Sequence, residues 1–363
     1  MSRRDFLASA GLAAAGPAVV APPAAAAPTA TPGATPGGAV ARLLAVPGDR
    51  RDVHWIRAAL QVAVELEFAT IPPYLCAWWS VRDRGHQAAR LIRRIVNDEM
   101  YHMGLACNLL VAVGGRPRIA DAVPSYPGPL PGGVRPGLIV HLSGLTKEYV
   151  HEVLMRIETP ETPLARMAGG PPSIGAFYTG LLEAFRDVRP ELSAEGQLAD
   201  RIGPDRLLPM ESLDDVEQAI EIIKEQGEGT SGSPDSRFDS ETPAHYYAFG
   251  EIYHEHRLRR VDGVWEFTGE RVPFPEVSPM GSVPAGGWTA PRPEAERLLR
   301  RFDATFTEML RRLEAAWTAG DPGTLRAAVH AMRAMEGPAL SLMEIPLPDG
   351  HGVYGPQFRP VTT

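Results

Sequence analysis

The residues best suited to chemistry are carboxylates and imidazoles at helical spacing. Glu99-Met100-Tyr101-His102 is a literal E-x-x-H, and residues three apart on a helix share a face, so Glu99 and His102 point the same way. Ile92, Ile95, Val96, Met103, Ala106, Leu109, Leu110 and Val113 surround them, forming the inward stripe of an amphipathic helix. A carboxylate and an imidazole inside such a stripe are costly unless paired or bound to a metal. Glu67 falls in register with Ile56, Leu60, Ala63, Thr70 and Tyr74 and faces inward as well.

Two helices must hold these groups, one over residues 52–82 and one over 86–113, joined at the polar turn Asp83-Arg84-Gly85. Glu67 lies about as far before that turn as Glu99 and His102 lie after it. At a rise of about 1.5 Å per residue, an antiparallel pair brings all three to one height. Helical bundles build carboxylate-bridged metal sites in this way, from single Glu residues and E-x-x-H motifs on facing helices.

A second half-site follows the same geometry. A helix N-capped by Ser212 ends at Glu225 and Glu228, and His245 stands about one turn into a helix over residues 241–254. Across the loop these groups share a level. His245 shares a face with Glu241, Ala248, Phe249 and Ile252, whereas His254, of the E-x-x-H Glu251–His254, lies about half a turn away. His245 is therefore the inward one, and Glu225, Glu241 and Glu251 remain as further carboxylates that could complete the site.

The other candidates read as structural. A helix over residues 146–158 carries the E-x-x-H Glu148–His151 on the face away from Val153 and Ile157, and Glu158 at its end is the weaker candidate, a helix-end carboxylate of a kind often found at the surface. In the helix over residues 173–187, Ile174, Phe177, Tyr178, Leu181 and Phe185 are the apolar side and Glu183 is exposed. Residues 114–144 and 261–291 form long Pro/Gly-rich insertions, and helices over 293–319 and 322–335 follow. Met332, Met335 and Met343 suit adaptable core packing better than copper. The tail around Pro346–Phe358 is extended and lies over the bundle.

The whole chain sets the frame. With 363 residues, 44% of them hydrophobic, and a net charge of −8, it has the makings of a soluble globular protein with a sizeable core. The acidic balance and the lack of a basic stripe with interleaved aromatics exclude a nucleic-acid surface. Ser2-Arg3-Arg4-Asp5-Phe6-Leu7, the apolar run to Val20 and the A-x-A at Ala25–Ala27 resemble a twin-arginine signal over residues 1–27. Export to the periplasm or beyond is expected, with residues 28–50 as a disordered linker, 51–258 as the bundle, and 259–363 as loops and helices packed on it. No later run reaches the roughly 20 apolar residues of a membrane span. Cys76 and Cys107 move to opposite ends of the first hairpin, so a disulfide between them is not expected.

Glu65-Leu66-Glu67-Phe68-Ala69-Thr70-Ile71-Pro72-Pro73-Tyr74-Leu75, Asp98–Met103, Glu225–Gly229 and His245–Phe249 together resemble the ferritin-like domain of the iminophenyl-pyruvate dimer synthases, which occurs in bisindole pigment biosynthesis of the violacein type. The resemblance covers about residues 53–258. It implies an all-α, ferritin-like four-helix bundle with long insertions and extra C-terminal helices. The metal ligands it implies are Glu67, Glu99, His102, Glu228 and His245, with Glu225 as a substitute for Glu228. It implies mononuclear or dinuclear iron, with manganese compatible, a small-molecule substrate, and an O₂-dependent oxidoreductase. Tyr74, Tyr101 and Tyr246 would line the pocket or donate hydrogen bonds. Related sequences often carry a carboxylate where this chain has Ala176, and the pigment synthases carry a haem-bearing region for which there is no room here, so imino-acid dimerisation does not follow. Metal storage or peroxide detoxification, and a metal-free scaffold, are the alternative functions. The sequence is compatible with an oligomer and names no partner beyond the substrate.

Overall fold

The computed structural model describes residues 38–160, 173–228 (Glu228 as backbone only), 234 and 243–361. The expected signal, residues 28–37 and Glu241 lie outside the described residues. Within the span expected to be a linker, residues 38–50 include a helix. α1 (Ala39–Leu44) buries Val40 completely in the core. Leu44 lies against Gly180, where a Cβ would come within 2.7 Å of its methyl group. Over residues 38–50 the disordered-linker expectation is therefore corrected: Val40 in the core and Leu44 against Gly180 dock the segment.

α2 (Val53–Ser80) and α3 (Gln87–Ala112) form the expected hairpin. Asp52 caps α2 by accepting from the Trp55 amide at 2.9 Å, and Asp83 Oδ1 accepts from the Gly85 amide at 2.8 Å to close the turn. Pro72 and Pro73 lie inside α2, where a proline removes one i→i−4 hydrogen bond. Pro73 leaves the Ala69 carbonyl without its helical donor, and the Tyr126 hydroxyl supplies one at 2.6 Å. The insertion after α3 thus repairs the helix that carries Glu67.

The next helical stretch runs head to tail as α4 (Lys147–Tyr149), a π turn (Val150–Leu154) and α5 (Met155–Ile157). Such π turns occur often at functional sites. α6 (Ile174–Val188) is capped by Ser173, which accepts from the Ala176 amide at 2.9 Å. α7 (Leu213–Glu228) begins with a reciprocal cap: Ser212 Oγ accepts from the Asp215 amide, and Asp215 Oδ2 accepts from the Ser212 amide at 2.9 Å, the capping-box arrangement. α8 (His245–His254) starts later than expected: Ala244 is its N-cap, so His245 is its first residue and does not stand one turn inside it.

α9 (Pro293–Ala319) and α10 (Pro322–Ala334) fall where expected, and a further short helix, α11 (Glu336–Leu342), follows α10. They join the same core. Phe302 and Phe306 are buried with Phe358 of the tail, whose ring lies parallel to Trp79. Buried Asp303 holds the tail by accepting from Gln357 Nε2 at 2.7 Å and the Arg359 amide at 3.1 Å. Among the described residues, three two-stranded antiparallel pairs decorate the loops. In one of them, β1 (Arg259–Val261) and β2 (Val264–Glu266) meet at Asp262-Gly263, both at positive φ, as a tight hairpin turn requires. No helix among the described residues is long and apolar enough to cross a membrane. Cys76 and Cys107 are both buried free thiols.

Candidate metal centre

The site lies where α2, α3, the end of α5, α6, α7 and the start of α8 converge. Glu67, Thr70 and Tyr74 follow one another at i, i+3 and i+7 and so line one side of α2. From α3 come Asp98, Glu99 and His102. All six are at most 6% exposed, a density of buried polar groups that needs partners or a cation.

Among the described residues, two groups bring three ligand atoms within 4.8 Å of one another: Glu67, Glu99 and His102, and Glu99, Glu158 and His245. Glu99 belongs to both. Its Oε2 accepts from Thr70 Oγ1 at 2.6 Å, which leaves Oε1 to face both histidines. That oxygen is 2.9 Å from His245 Nδ1 and 4.0 Å from His102 Nδ1. Glu67 Oε2 is 3.5 Å from His102 Nδ1, and Glu158 Oε1 is 3.6 Å from His245 Nδ1. The outer carboxylates are each held by a buried phenol: Tyr178 donates to Glu67 and Tyr74 donates to Glu158.

Each imidazole is oriented through its far nitrogen. His102 Nε2 lies 2.7 Å from the Gln226 amide oxygen, and an acceptor there requires the proton on Nε2. His245 Nε2 faces Asp98 Oδ2 at 3.4 Å. Both Nδ1 atoms are left as lone pairs aimed at carboxylate oxygens. His245 Nδ1 is buried with no hydrogen-bond partner although Glu99 is 2.9 Å away. Something positive must stand between such groups, either a proton or a metal ion. The electrostatics of the metal-free protein say the same. Burial, then the Glu158 charge, pushes Glu99 up to about 7, with the adjacent His245 imidazole opposing. Burial lowers His102 and His245, yet both end above the ordinary histidine value, His102 through Glu67 and His245 through Asp98, Glu158 and Glu99. Carboxylate oxygens and imidazole nitrogens without thiolate suit iron or manganese, so the residues present fit the metal that the fold implies.

The expected ligands Glu67, Glu99, His102 and His245 meet here. Glu228 is the last residue of α7, and its side chain lies outside the described residues. Glu225 is buried but belongs to neither ligand group. Glu251 is buried and turned to the chain after α8, accepting from the Leu258 amide at 2.9 Å. Glu158, the weaker candidate, is a corrected expectation: it is 6% exposed and completes the second group. Its signal was Val150, Leu154 and Glu158 at i, i+4 and i+8, an inward row ending in a carboxylate. Tyr178 and Gln226 were also missed, each hidden in a stretch read for its neighbours. Of the tyrosines expected to line the pocket or donate hydrogen bonds there, Tyr74 donates to the ligand carboxylate of Glu158, whereas the Tyr101 hydroxyl donates to the Arg206 carbonyl and Tyr246 packs on Tyr247. Glu148, His151, Glu183 and His254 are exposed, as expected for the first three and for His254 as the rejected alternative to His245.

A cavity of about 40 Å³ opens beside the centre, floored by Glu67, Glu99, His102 and Glu158 and walled by Leu66, Ile157, Ile174 and Ile223. Lys224 reaches its rim, donating to Thr179 Oγ1 at 2.8 Å. A second cavity of about 40 Å³, between α2–α3 and α9–α10, is walled by apolar groups such as Phe68, Met103, Met309 and Trp317. It offers no ionisable side chain. Met335 and Met343 are buried and Met332 packs against the core, as expected of core methionines.

Comparison with known proteins agrees with this geometry. The family model described as Ferritin-like matches residues 60–254, which is more than half of the chain and spans every ligand named above. A solved structure of a ferritin-like protein from Caulobacter vibrioides superposes with a TM-score of 0.59 at 24% identity, covering 83% of this chain and 97% of that one. At that identity the likeness shows the fold. No curated protein matches the chain.

Proposed function

We propose, from the premise that the chain belongs to the ferritin-like family, that it is a metal-dependent oxidoreductase with a dinuclear carboxylate–imidazole centre, acting on a small organic substrate. The observation that carries this reading is Glu99, one carboxylate shared by two three-ligand groups, with an imidazole lone pair aimed into each. Glu67, Glu99 and His102 would hold one ion and Glu99, Glu158 and His245 the other. Iron bound there would supply redox chemistry with dioxygen.

The chain's own residues prepare the site. Tyr74 and Tyr178 hold the outer carboxylates, and burial first, then the adjacent Glu158 and Glu67 charges, raises both phenols well above their ordinary value. They therefore stay protonated and remain donors. Thr70 fixes the bridging carboxylate, and Gln226 and Asp98 fix the two imidazoles; outer partners of this type are worth about 10–100-fold in metal affinity. The cavity beside the centre has apolar walls that limit water and a lysine at its rim. That lining suits a small, partly apolar molecule with an anionic end, in keeping with the amino-acid- or imine-derived substrate that the dimer-synthase resemblance suggests. Ala176, where related sequences often carry a carboxylate, argues against the dimerisation itself. Export by the twin-arginine route is part of the proposal, supported by Arg3-Arg4 and the apolar run after them.

The test is metal analysis of the purified protein alongside Glu99→Ala and His102→Ala, followed by O₂ uptake with candidate amino- and imino-acid substrates. About two irons or manganese per chain, lost in both variants, with substrate-dependent O₂ uptake, would support the reading. Normally folded wild type that takes up no metal would overturn it.

A further inference from the structure

The two halves of the centre use the same ligand types but are supported differently. Behind His102 stands a neutral amide, Gln226 Oε1 at 2.7 Å from Nε2. Behind His245 stands a carboxylate, Asp98 Oδ2 at 3.4 Å. Asp98 is itself ion-paired with Arg94, Nε to Oδ1 at 3.0 Å, and Arg94 reaches Asp205 at 3.2 Å. A carboxylate behind a ligating imidazole makes it the stronger donor to a metal. The salt-bridge chain from α3 to the strand Asp205–Leu207 holds that carboxylate in place.

The spacing of ligand atoms differs in the same sense. Donors about 2.1 Å from one ion at right angles are about 3 Å apart. Around His245 Nδ1 the carboxylate oxygens already stand at 2.9 and 3.6 Å, whereas around His102 Nδ1 they stand at 3.5 and 4.0 Å. Closing the His102 half therefore needs the larger movement of its carboxylates, while Thr70 holds Glu99 by its other oxygen.

Resting on the dinuclear reading above, we infer that the centre loads in order: the Glu99–Glu158–His245 half takes a divalent cation first and holds it more tightly, and Asp98 is the positioning residue that makes it so. A singly loaded protein is then a stable species, and the His102 half is the one that exchanges its ion.

Anaerobic titration of the chelator-stripped full chain with Mn(II), followed by electron paramagnetic resonance, tests this. The expected result is two steps. The first equivalent gives the signal of an isolated Mn(II), and the second converts it to that of a coupled pair. Asp98→Asn weakens the first step by about 10–100-fold and Gln226→Leu weakens only the second, with circular dichroism and the thermal midpoint confirming the fold. Glu158→Gln leaves the Asp98–Arg94 pair untouched and abolishes the first step, so the order stays testable if Asp98→Asn fails to fold. Gln226→Glu narrows the gap between the steps. Two equal steps, or a first step lost with Gln226→Leu and kept in Glu158→Gln, would overturn the order and leave the dinuclear reading standing. No Mn(II) bound by folded wild type would overturn both.

Discussion

Removing the metal should make this protein less stable as the pH rises, and the size of the effect follows from Glu99. Its carboxyl ordinarily titrates at 4.5 and is pushed up to about 7 here, first by burial and then by Glu158. A folded pKa above the unfolded one means that the folded state binds the proton more tightly. The stabilisation is therefore complete below the unfolded value and is lost as the pH climbs from 4.5 through about 7. His102 and His245, also raised above their ordinary value of 6.5, act in the same direction: their contribution is present below that value and is lost as the pH passes their folded values. At about 1.36 kcal/mol per pKa unit, Glu99 alone accounts for about 3 kcal/mol. At about 2 °C per kcal/mol for a chain of this size, that is about 6 °C in the thermal midpoint. Calorimetry of chelator-treated protein across that window should show the fall. Glu99→Gln, neutral throughout, should lose about that share of it. Metal-loaded wild type should lose the fall or reverse it, because the cation takes the proton's place and competes with it. A stripped wild type with a flat or rising midpoint, or a Glu99→Gln protein with an unchanged fall, would refute the electrostatic account of the site.

Other expectations follow from single contacts. Glu158→Ala should cost at least about 10-fold in metal affinity, measured by competition with a chelator. Tyr178→Phe removes the hydroxyl that holds Glu67 and should weaken metal binding by about 10-fold in the same competition assay, without changing the circular dichroism spectrum. Asn108 is fully buried and receives the Leu198 amide at 3.0 Å and Trp317 Nε1 at 2.9 Å while donating to the Leu198 and Leu208 carbonyls. Asn108→Leu leaves those groups unpaired and should cost about 3 kcal/mol in denaturant unfolding. Tyr126→Phe strips the Ala69 carbonyl of its substitute donor and should cost about 1–2 kcal/mol, again by denaturant unfolding.

Much of the centre was legible because α2 and α3 are long, periodic and joined by a short turn. With 3.6 residues per turn, Glu67, Glu99 and His102 had to share a face and a height, and they do. His245 could be chosen over His254 for the same reason, since its neighbours are the more apolar and its height matches Glu228. The failures lie where periodicity stops. Glu158 terminates a helix that contains a π turn, and a terminal carboxylate is ordinarily solvated unless a distant element covers it. The covering groups here, Tyr74 and His245, come from residues 84 and 87 positions away. Gln226 lies in sequence between the carboxylates of Glu225 and Glu228, which are the stronger ligand candidates by residue type, although an amide is what the far nitrogen of His102 needs. α1 was missed because six residues in a Pro/Gly/Ala-rich stretch have too little pattern to declare a helix; what fixes it is the packing of Val40 and Leu44 against the rest of the fold.

The most direct test of the centre is a crystal structure of iron-loaded protein with anomalous diffraction at the iron edge. Two peaks are expected, one bound by Glu67, Glu99 and His102 Nδ1 and the other by Glu99, Glu158 and His245 Nδ1, with Glu99 common to both. A single peak that leaves Glu158 unliganded, or iron held by a carboxylate set that omits Glu99, would contradict the shared-carboxylate centre on which the functional reading stands.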